Sequence, residues 1–493
     1  MLSITIFLPL LTGLAVLGLP KEKVRATRYT ALAGSLLTLL FTLVLWVGYD
    51  PAGPQLQWRA TAPWIPSIGA SYDVAVTGLS LPLLVLTALL LTLTMVYVLP
   101  NRDRAKEHAF LFLLMGTGLL GLFAARDLLL FYLFFEVGLV PMYFIVGIWG
   151  GENRRYAALK FFLYTRVGSL AMLLSFLALY LASGRSFSLS EISAAQPFSG
   201  SPGGFWVFLG LLLGFGVKLP TVPLHNWLPD AHVEAPTEGS VMLAGIQLKM
   251  GAYGLLAIML PTLPETVRQY AWLLMLLALL SLVYGALAAL AQSDLKRLIA
   301  YTSVNHMGFV LLGVAVWGLA NDPGVRQLAL GGAVLQTISH GLLTGGMFFL
   351  AGILQHQADT RELSRFGGLL GKVPAYSGLL GLLAFGSLGL PGLSGFVAEF
   401  QVIGATLSVS IWLALVAVLG LIISTALYLK VLTALLMGTP PDDMPEVRDL
   451  NPREATVVIP LAVLSLTLGL LPGPFLRVLG GTIRMLSRIG IGG

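Results

Sequence analysis

The sequence predicts an all-α polytopic membrane protein. It should have about fourteen transmembrane helices, arranged as two inverted five-helix repeats that each contain a broken helix. Three observations carry this expectation. Of the 493 residues, 57% are hydrophobic and only 11% are charged, with a mean hydropathy of +0.87, whereas a soluble chain carries about a quarter charged residues. Apolar runs long enough to cross a bilayer, about 17 to 25 residues, recur along the whole chain. Two of those runs are interrupted by proline beside an ionisable residue, in VKLPTVP and LPGLSGFVAEF. The runs are continuous rather than alternating, which excludes a transmembrane β-barrel built from strands of about 10 residues.

Taken in order, the spans start near Leu2, Tyr29, Thr77, Ala109, Leu128, Tyr156, Phe205, Ser240, Tyr270, Leu298, Gln327, Pro374, Val409 and Ala455. The first, MLSITIFLPLLTGLAVLGLPKEK, has neither a basic leader nor a small-residue cleavage site, and so reads as a retained span. The longest connections, about 49–76 and 183–204, are rich in Gly, Pro and Ser and read as loops. No stretch is polar enough to form a soluble domain. The chain divides into a three-helix segment (1–107), a first five-helix repeat (108–262), a second (263–438) and a C-terminal helix and tail (439–493). In each repeat the fourth span is broken and carries an ionisable residue, Lys218 in one and Glu399 in the other. Because five is odd, the second repeat enters the membrane upside down, a transporter architecture with its site near the midplane.

The net charge is +6, but the cations do not cluster, which argues against a nucleic-acid partner. They lie in short loops, as topology signals do. Sixteen fall on the side that includes Lys21, Arg102, Arg154, Lys296 and Arg361, against eight on the side of Arg59, Arg126 and Arg326. The richer side should be cytoplasmic, with both termini outside. The chain has no cysteine, so disulfides, thiolate-bound clusters and cysteine nucleophiles are excluded within it; the compartment stays unread.

Five cations and two acids fall inside spans: Lys160, Arg166, Lys218, Lys249, Lys430, Glu136 and Glu399. A charge at the centre of a membrane helix costs roughly 2.5 to 3.5 kcal/mol on insertion scales. Lys160 and Lys430 lie near span ends, where snorkelling explains them. Arg166 is deeper and has no assigned role. Glu136 and Lys249 are mid-span and beyond the reach of water. Lys218 and Glu399 sit beside prolines, which remove backbone hydrogen bonds and mark ion sites at bilayer depth. His225 follows Lys218 by seven residues, while His306 and His340 fall in apolar spans. Imidazole exchanges protons near neutral pH, so this set reads as a proton relay. Haem ligation is a weaker rival, because no facing histidine pair on adjacent helices is evident.

The stretches FFEVGLVPMYFIVGIWG, ALKFFLYT, KLPTVPLHNWLPDAHVEAPTEGSVMLAG, QSDLKRLIAYTSVNHMGF and GLPGLSGFVAEF resemble the antiporter-like membrane subunits of respiratory complex I, the subunit M (mitochondrial subunit 4) type. The resemblance covers nearly the whole chain. It implies a glutamate–lysine pair at Glu136 and Lys218, a central lysine at Lys249, a terminal residue at Glu399, and supporting histidines at His225, His232, His306 and His340. Glutamate rather than lysine at the terminal position favours the M type over its sisters L and N, as does the lack of a long lateral helix after the last span. Glu238 stands where a small residue is expected and has no assigned role.

The resemblance further implies a multi-pass subunit of the bacterial inner membrane, embedded in lipid in a hetero-oligomer with L- and N-type sisters. It implies no cofactor in this chain; NAD, FMN, iron–sulfur clusters and quinone would belong to partner subunits. In the expected cycle an ionised Glu136 close to Lys218 holds a proton there. Loss of that pairing releases it toward Lys249 and then Glu399, and either exit polarity is compatible with the sequence. The alternatives are a subunit of a cation/proton antiporter or of a membrane-bound hydrogenase, or a scaffold whose charges merely pair.

Overall fold

The computed structural model describes residues 1–99 and 103–490, so the loop cation Arg102 lies outside the described residues. Eleven of the described helices are long and apolar enough to cross a membrane, and three shorter apolar helices accompany them: Leu2–Gly18, Gly204–Lys218 and Ser394–Val409. Short polar caps fix where several of the apolar rods begin. The Asp127 side chain accepts hydrogen bonds from Leu129 and Leu130 N–H, Asp294 from Arg297, and Asp322 from Gly324. Asn451 and Glu454 close a capping box. Each cap satisfies otherwise orphaned N–H groups and stabilises its helix by about 1 kcal/mol.

Two five-span blocks follow the N-terminal helices. The first comprises Ala105–Ala124, Leu128–Trp149, Arg154–Ala182, the pair Gly204–Lys218 and Leu228–Glu234, and Thr237–Thr262. The second comprises Ala271–Leu290, Leu295–Leu319, Pro323–Ala358, the pair Pro374–Ser387 and Ser394–Val409, and Ile411–Leu436. In both, the fourth member is discontinuous. Thr237–Thr262, Leu295–Leu319 and Pro323–Ala358 are almost wholly buried and form the centre, whereas Val24–Val47, Ile411–Leu436 and Pro452–Leu470 keep most of their apolar surface outward. Outward apolar side chains on helices this long suit lipid or a neighbouring membrane subunit rather than water.

The central helices meet through glycine. A Cβ at Gly341 would lie 2.7 Å from the Gly245 carbonyl oxygen and 3.5 Å from Lys249 Cε, so Pro323–Ala358 and Thr237–Thr262 approach backbone to backbone beside Lys249.

Several expectations are corrected. The connection read as an irregular loop holds an antiparallel hairpin, Gln57–Ile65 with Ala70–Val76, tied by Arg59–Asp73 at 2.8 Å. It rests on the Arg126–Asp127 turn, where Ser71 N–H donates to Asp127 at 2.9 Å. The alternation in ASYDVAV is its signal, outweighed in the sequence by the surrounding Gly and Pro. Lys296 and Arg326, assigned to loops, are buried inside helices. Arg326 donates to the Ala320 and Ile489 carbonyls at 2.9 and 2.8 Å. That anchors an amphipathic C-terminal helix, Pro472–Arg488, whose buried face includes Phe475, Leu479, Ile483 and Leu486. Lys160 and Lys430 do more than snorkel: Lys160 pairs with Asp230 at 2.6 Å, and Lys430 donates to the Leu290 and Gln292 carbonyls at 2.7 and 3.0 Å.

Candidate functional site

The site begins at the first broken helix. Pro220 and Pro223 end the helix Gly204–Lys218, leaving Lys218 as its last residue, fully buried. The break is splinted by neighbours that take up freed backbone groups. Trp227 Nε1 donates to the Val217 carbonyl at 3.0 Å, and Val222 N–H donates to Ser281 Oγ at 3.0 Å. Lys218 Nζ donates to Gln247 Oε1 at 3.3 Å and lies 5.0 Å from the centroid of the Phe161 ring and 5.8 Å from that of Trp227. These two ring faces flank the buried Lys218 Nζ where a carboxylate was expected.

Glu136 does not form that pair. Its Oε2 accepts a hydrogen bond from Arg166 Nη1, so the acid partners the deep arginine to which the sequence assigned no role. The corrected arrangement has a physical reason. Arg166 sits on the adjacent helix Arg154–Ala182, and its forked guanidinium reaches across to the acid, with 40% of the side chain exposed. Lys218 remains within electrostatic reach of Glu136. Glu136 Oε1 has no partner among the described residues.

Gln247 joins the two parts of the site. Its amide nitrogen donates to the Gly138 carbonyl at 2.8 Å, and its oxygen accepts from Lys218. It closes a π-helical turn, Leu243–Gln247, immediately before Lys249. Such bulges interrupt the i to i−4 ladder and recur at functional sites. Here Lys249 Nζ donates to the Ala244 carbonyl within that turn at 2.5 Å. Lys249, fully buried, also meets His340 Nδ1 at 2.7 Å.

From His340 the path continues across facing helices. The His340 and His306 rings lie 5.8 Å apart, a facing pair that the sequence reading did not find. His306 Nδ1 is 3.4 Å from Glu399 Oε1 and 3.2 Å from the Gln336 amide, and its Nε2 is 3.3 Å from the Tyr428 hydroxyl. His306, Gln336, Ser339, His340 and Glu399 line a cavity of about 10 Å³, room for one water. Glu399 is held just past the second break, where Gly389 has φ +81° and a Cβ there would meet Glu399 Oε2 at 2.7 Å. A side chain at Gly389 would displace the acid.

The remaining predicted histidines flank this axis. His232 is fully buried and stacked on Phe348 at 4.5 Å, and it lies within electrostatic reach of both Lys249 and Lys296. His225 sits in the first break, 5.1 Å from the Tyr284 ring, outside hydrogen-bond reach of Lys218 and Lys249 among the described residues. Sequence reasoning missed Gln247, Gln336 and Tyr428. The signal was present for Gln336, four residues before His340 on one helical face, whereas Gln247, two before Lys249, does not share that lysine's face. Among the described residues, no group of three or more His, Asp or Glu is arranged to hold a metal ion.

Chemically, the arrangement is an amine, two imidazoles and a carboxylate in succession inside an apolar bundle. Each is a group that accepts and releases a proton. Two broken helices opposed in one bundle, with this buried polar axis between them, define an antiporter-like membrane subunit. The NADH:quinone oxidoreductase/Mrp antiporter transmembrane family matches residues 125–424, and the chain belongs to that family. It is similar to NADH-quinone oxidoreductase subunit M of Rhodobacter capsulatus, 39% identical over 98% of this chain and 95% of that one. It is also similar to F(420)H(2) dehydrogenase subunit M of Methanosarcina mazei, 38% identical over 90% of each. Among solved structures it is similar to a chain of respiratory complex I from Thermus thermophilus with bound NADH, with a TM-score of 0.89, 34% identity and full coverage of both chains.

Proposed function

We propose that this chain is a proton-translocating, antiporter-like subunit of an NADH:quinone oxidoreductase, of the subunit M type. It carries no redox chemistry of its own and works as part of a redox-driven translocase. The observation that carries the reading is the succession Lys249, His340, His306 and Glu399, linked at 2.7 Å, 5.8 Å between rings, and 3.4 Å. Lys218 joins it through Gln247. Residues 108–262 and 263–438 act as the two halves, each contributing one broken helix. NAD, FMN, iron–sulfur clusters and quinone belong to partner subunits, among them L- and N-type sisters. The cation-rich side faces the cytoplasm across the inner membrane, with both termini outside.

The switch is the choice Glu136 makes between Arg166 and Lys218. A carboxylate beside a buried amine favours the charged amine, and its departure loosens the amine's hold on the proton. With Glu136 bound to Arg166, the proton of Lys218 passes by way of the Gln247 region to Lys249, and onward through His340 and His306 to Glu399. His225 and His232 supply the inner end of the path. The test is Lys218→Ala in the assembled complex in sealed vesicles. Pumping should fall at least tenfold; pumping that survives at the wild-type level would favour a scaffold whose charges only pair. Driven sodium exchange without a redox partner would support the antiporter alternative, and co-purification of a flavin and iron–sulfur arm the present reading.

A further inference from the structure

We infer that Arg126 seals the first half of the relay against proton back-flow from the cation-poor side; the inference rests on the proton-translocating reading above. Arg126 stands in the turn between Ala105–Ala124 and Leu128–Trp149 and lines a cavity of about 410 Å³, room for several waters. The cavity reaches the surface beside exposed Gln55, Ser190 and Met485. Its lining also includes Ala257 and Pro261 of Thr237–Thr262, the helix that carries Lys249. At 1.5 Å per residue, Ala257 is about 12 Å along that helix from the lysine. None of the steps derived above uses this cavity.

The arginine is clamped through its backbone, and its charge is left over. Arg126 N–H donates to the Asp73 carbonyl at 2.8 Å, and the Arg126 carbonyl accepts from Leu189 N–H at 2.9 Å. Its Nε is buried with no hydrogen-bond partner among the described residues. The neighbouring acids are committed elsewhere. Asp73 accepts from Arg59 through both oxygens, at 3.0 and 2.8 Å, and Asp127 accepts from Ser71, Leu129 and Leu130 N–H. Asp73 and Arg59 both lie within electrostatic reach of Arg126 and offset one another. No Asp or Glu among the described residues lines the cavity. An unpaired cation in a water-accessible passage repels protons and other cations, as arginines do in selective pores.

Along the helix between the cavity and Lys249 stands Tyr253, one turn beyond the lysine, buried and within electrostatic reach of Arg126. Its hydroxyl donates to the Phe123 carbonyl at 2.9 Å, one of the last carbonyls of Ala105–Ala124, where intrahelical donors run out. A hydroxyl relays a proton by taking one and giving its own away, and here its hydrogen points at a carbonyl that passes nothing on. The rings of Phe123 and Phe131 close on Tyr253 at 5.3 and 6.5 Å. The inverted repeat shows that the turn itself does not need the charge. In the second half, Leu363 N–H donates to the Ser293 carbonyl at 3.0 Å, as Leu189 N–H does to that of Arg126. Asp294 caps Leu295–Leu319 there, as Asp127 caps Leu128–Trp149. The same turn forms with a serine in the arginine's place, so local folding does not account for Arg126.

The experiment is the passive proton conductance of the assembled complex in sealed vesicles without NADH, with an acid pulse on the cation-poor side and a pH dye on the other. Arg126→Gln should raise the conductance about tenfold, the order of effect that one nearby charge has on a proton in a partly buried passage. Ser193→Asp, which sets a counter-charge in the same cavity, should do the same and serves if the first variant fails to assemble. Arg126→Lys keeps the charge and should stay near wild type. Adding Lys249→Ala to Arg126→Gln should abolish the extra conductance. Unchanged conductance in the assembled variant overturns the inference. So does an equal rise in Arg126→Lys, the mark of a packing defect, or a rise that survives in the double variant and therefore bypasses Lys249. Pumping by Lys249→Ala alone separates the two failures. If it is abolished while Arg126→Gln leaves the conductance unmoved, only the seal falls; if it is normal, the relay itself falls.

Discussion

Gly251→Ala tests the close approach that joins the two lysines. Gly251 lies two residues after Lys249, and an added Cβ would sit 2.4 Å from the Phe215 carbonyl oxygen, 2.7 Å from Leu219 N and 3.2 Å from Leu219 Cβ. The two nearest atoms belong to the backbone flanking Lys218, so no side-chain rotation relieves the overlap. Restoring an ordinary separation of about 3.4 Å requires Thr237–Thr262 and Gly204–Lys218 to part by roughly 1 Å, at an overpacking cost of about 1 to 3 kcal/mol. The Lys218–Gln247 bond is already 3.3 Å long; stretched by that amount it exceeds hydrogen-bond range. A displacement of about 1 Å in a transfer geometry costs on the order of a hundredfold in rate. The assay is proton pumping per NADH oxidised by complexes whose subunit content matches wild type, with Gly378→Ala, where a Cβ meets no atom within 4 Å, as the control. Wild-type pumping by Gly251→Ala would refute the claim that this contact sets the transfer distance.

Two further perturbations address the switch and the scaffold. Among the described residues, Arg166→Gln leaves Glu136 with Lys218 as its cationic partner, so the lysine should keep its proton and pumping should fall about tenfold; unaltered pumping would remove Arg166 from the mechanism. Asp449 accepts hydrogen bonds from Ala375 and Tyr376 N–H at 2.9 and 2.8 Å, anchoring the start of the second broken helix. Burial pushes its carboxyl up, but the backbone N–H groups of Ala375, Tyr376 and Leu450 together outweigh that and hold it below the ordinary carboxylate value. A depressed acid stabilises the fold above its unfolded value of about 3.9 and loses that contribution as pH falls through the folded one. Asp449→Ala should therefore lower thermal stability by about 1 kcal/mol at neutral pH. The gap to wild type should close in strong acid, and a gap constant with pH would contradict the electrostatic account.

The membrane-spanning architecture was legible because hydropathy and helix length are local. Each broken helix announced itself by proline beside a charge, and the residues Lys218, Lys249, His340, His306 and Glu399 were all visible as polar exceptions in apolar runs. Pairing was not legible. Glu136 is bonded to Arg166 rather than to Lys218, because the choice depends on which neighbouring helix brings a forked cation within reach. The π-turn before Lys249 leaves no compositional trace, and without it the tie from Lys249 to the Ala244 carbonyl is invisible. Lys296 and Arg326 passed for loop cations since they flank span ends; only the packed bundle shows that each bonds backbone carbonyls in its interior. Glu238 looked like an isolated oddity until His108, 130 residues earlier, was placed against it.

Lys249 carries the proposed relay from the first half to the second, bonded at once to its own helix and to His340. Its most direct test is the number of protons translocated per electron pair by the intact complex carrying Lys249→Ala, in vesicles where NADH oxidation and pumping are followed together. A ratio lowered at least tenfold, as for Lys218→Ala, is the expected result. A ratio equal to wild type, in complexes shown to contain the variant chain, would contradict it.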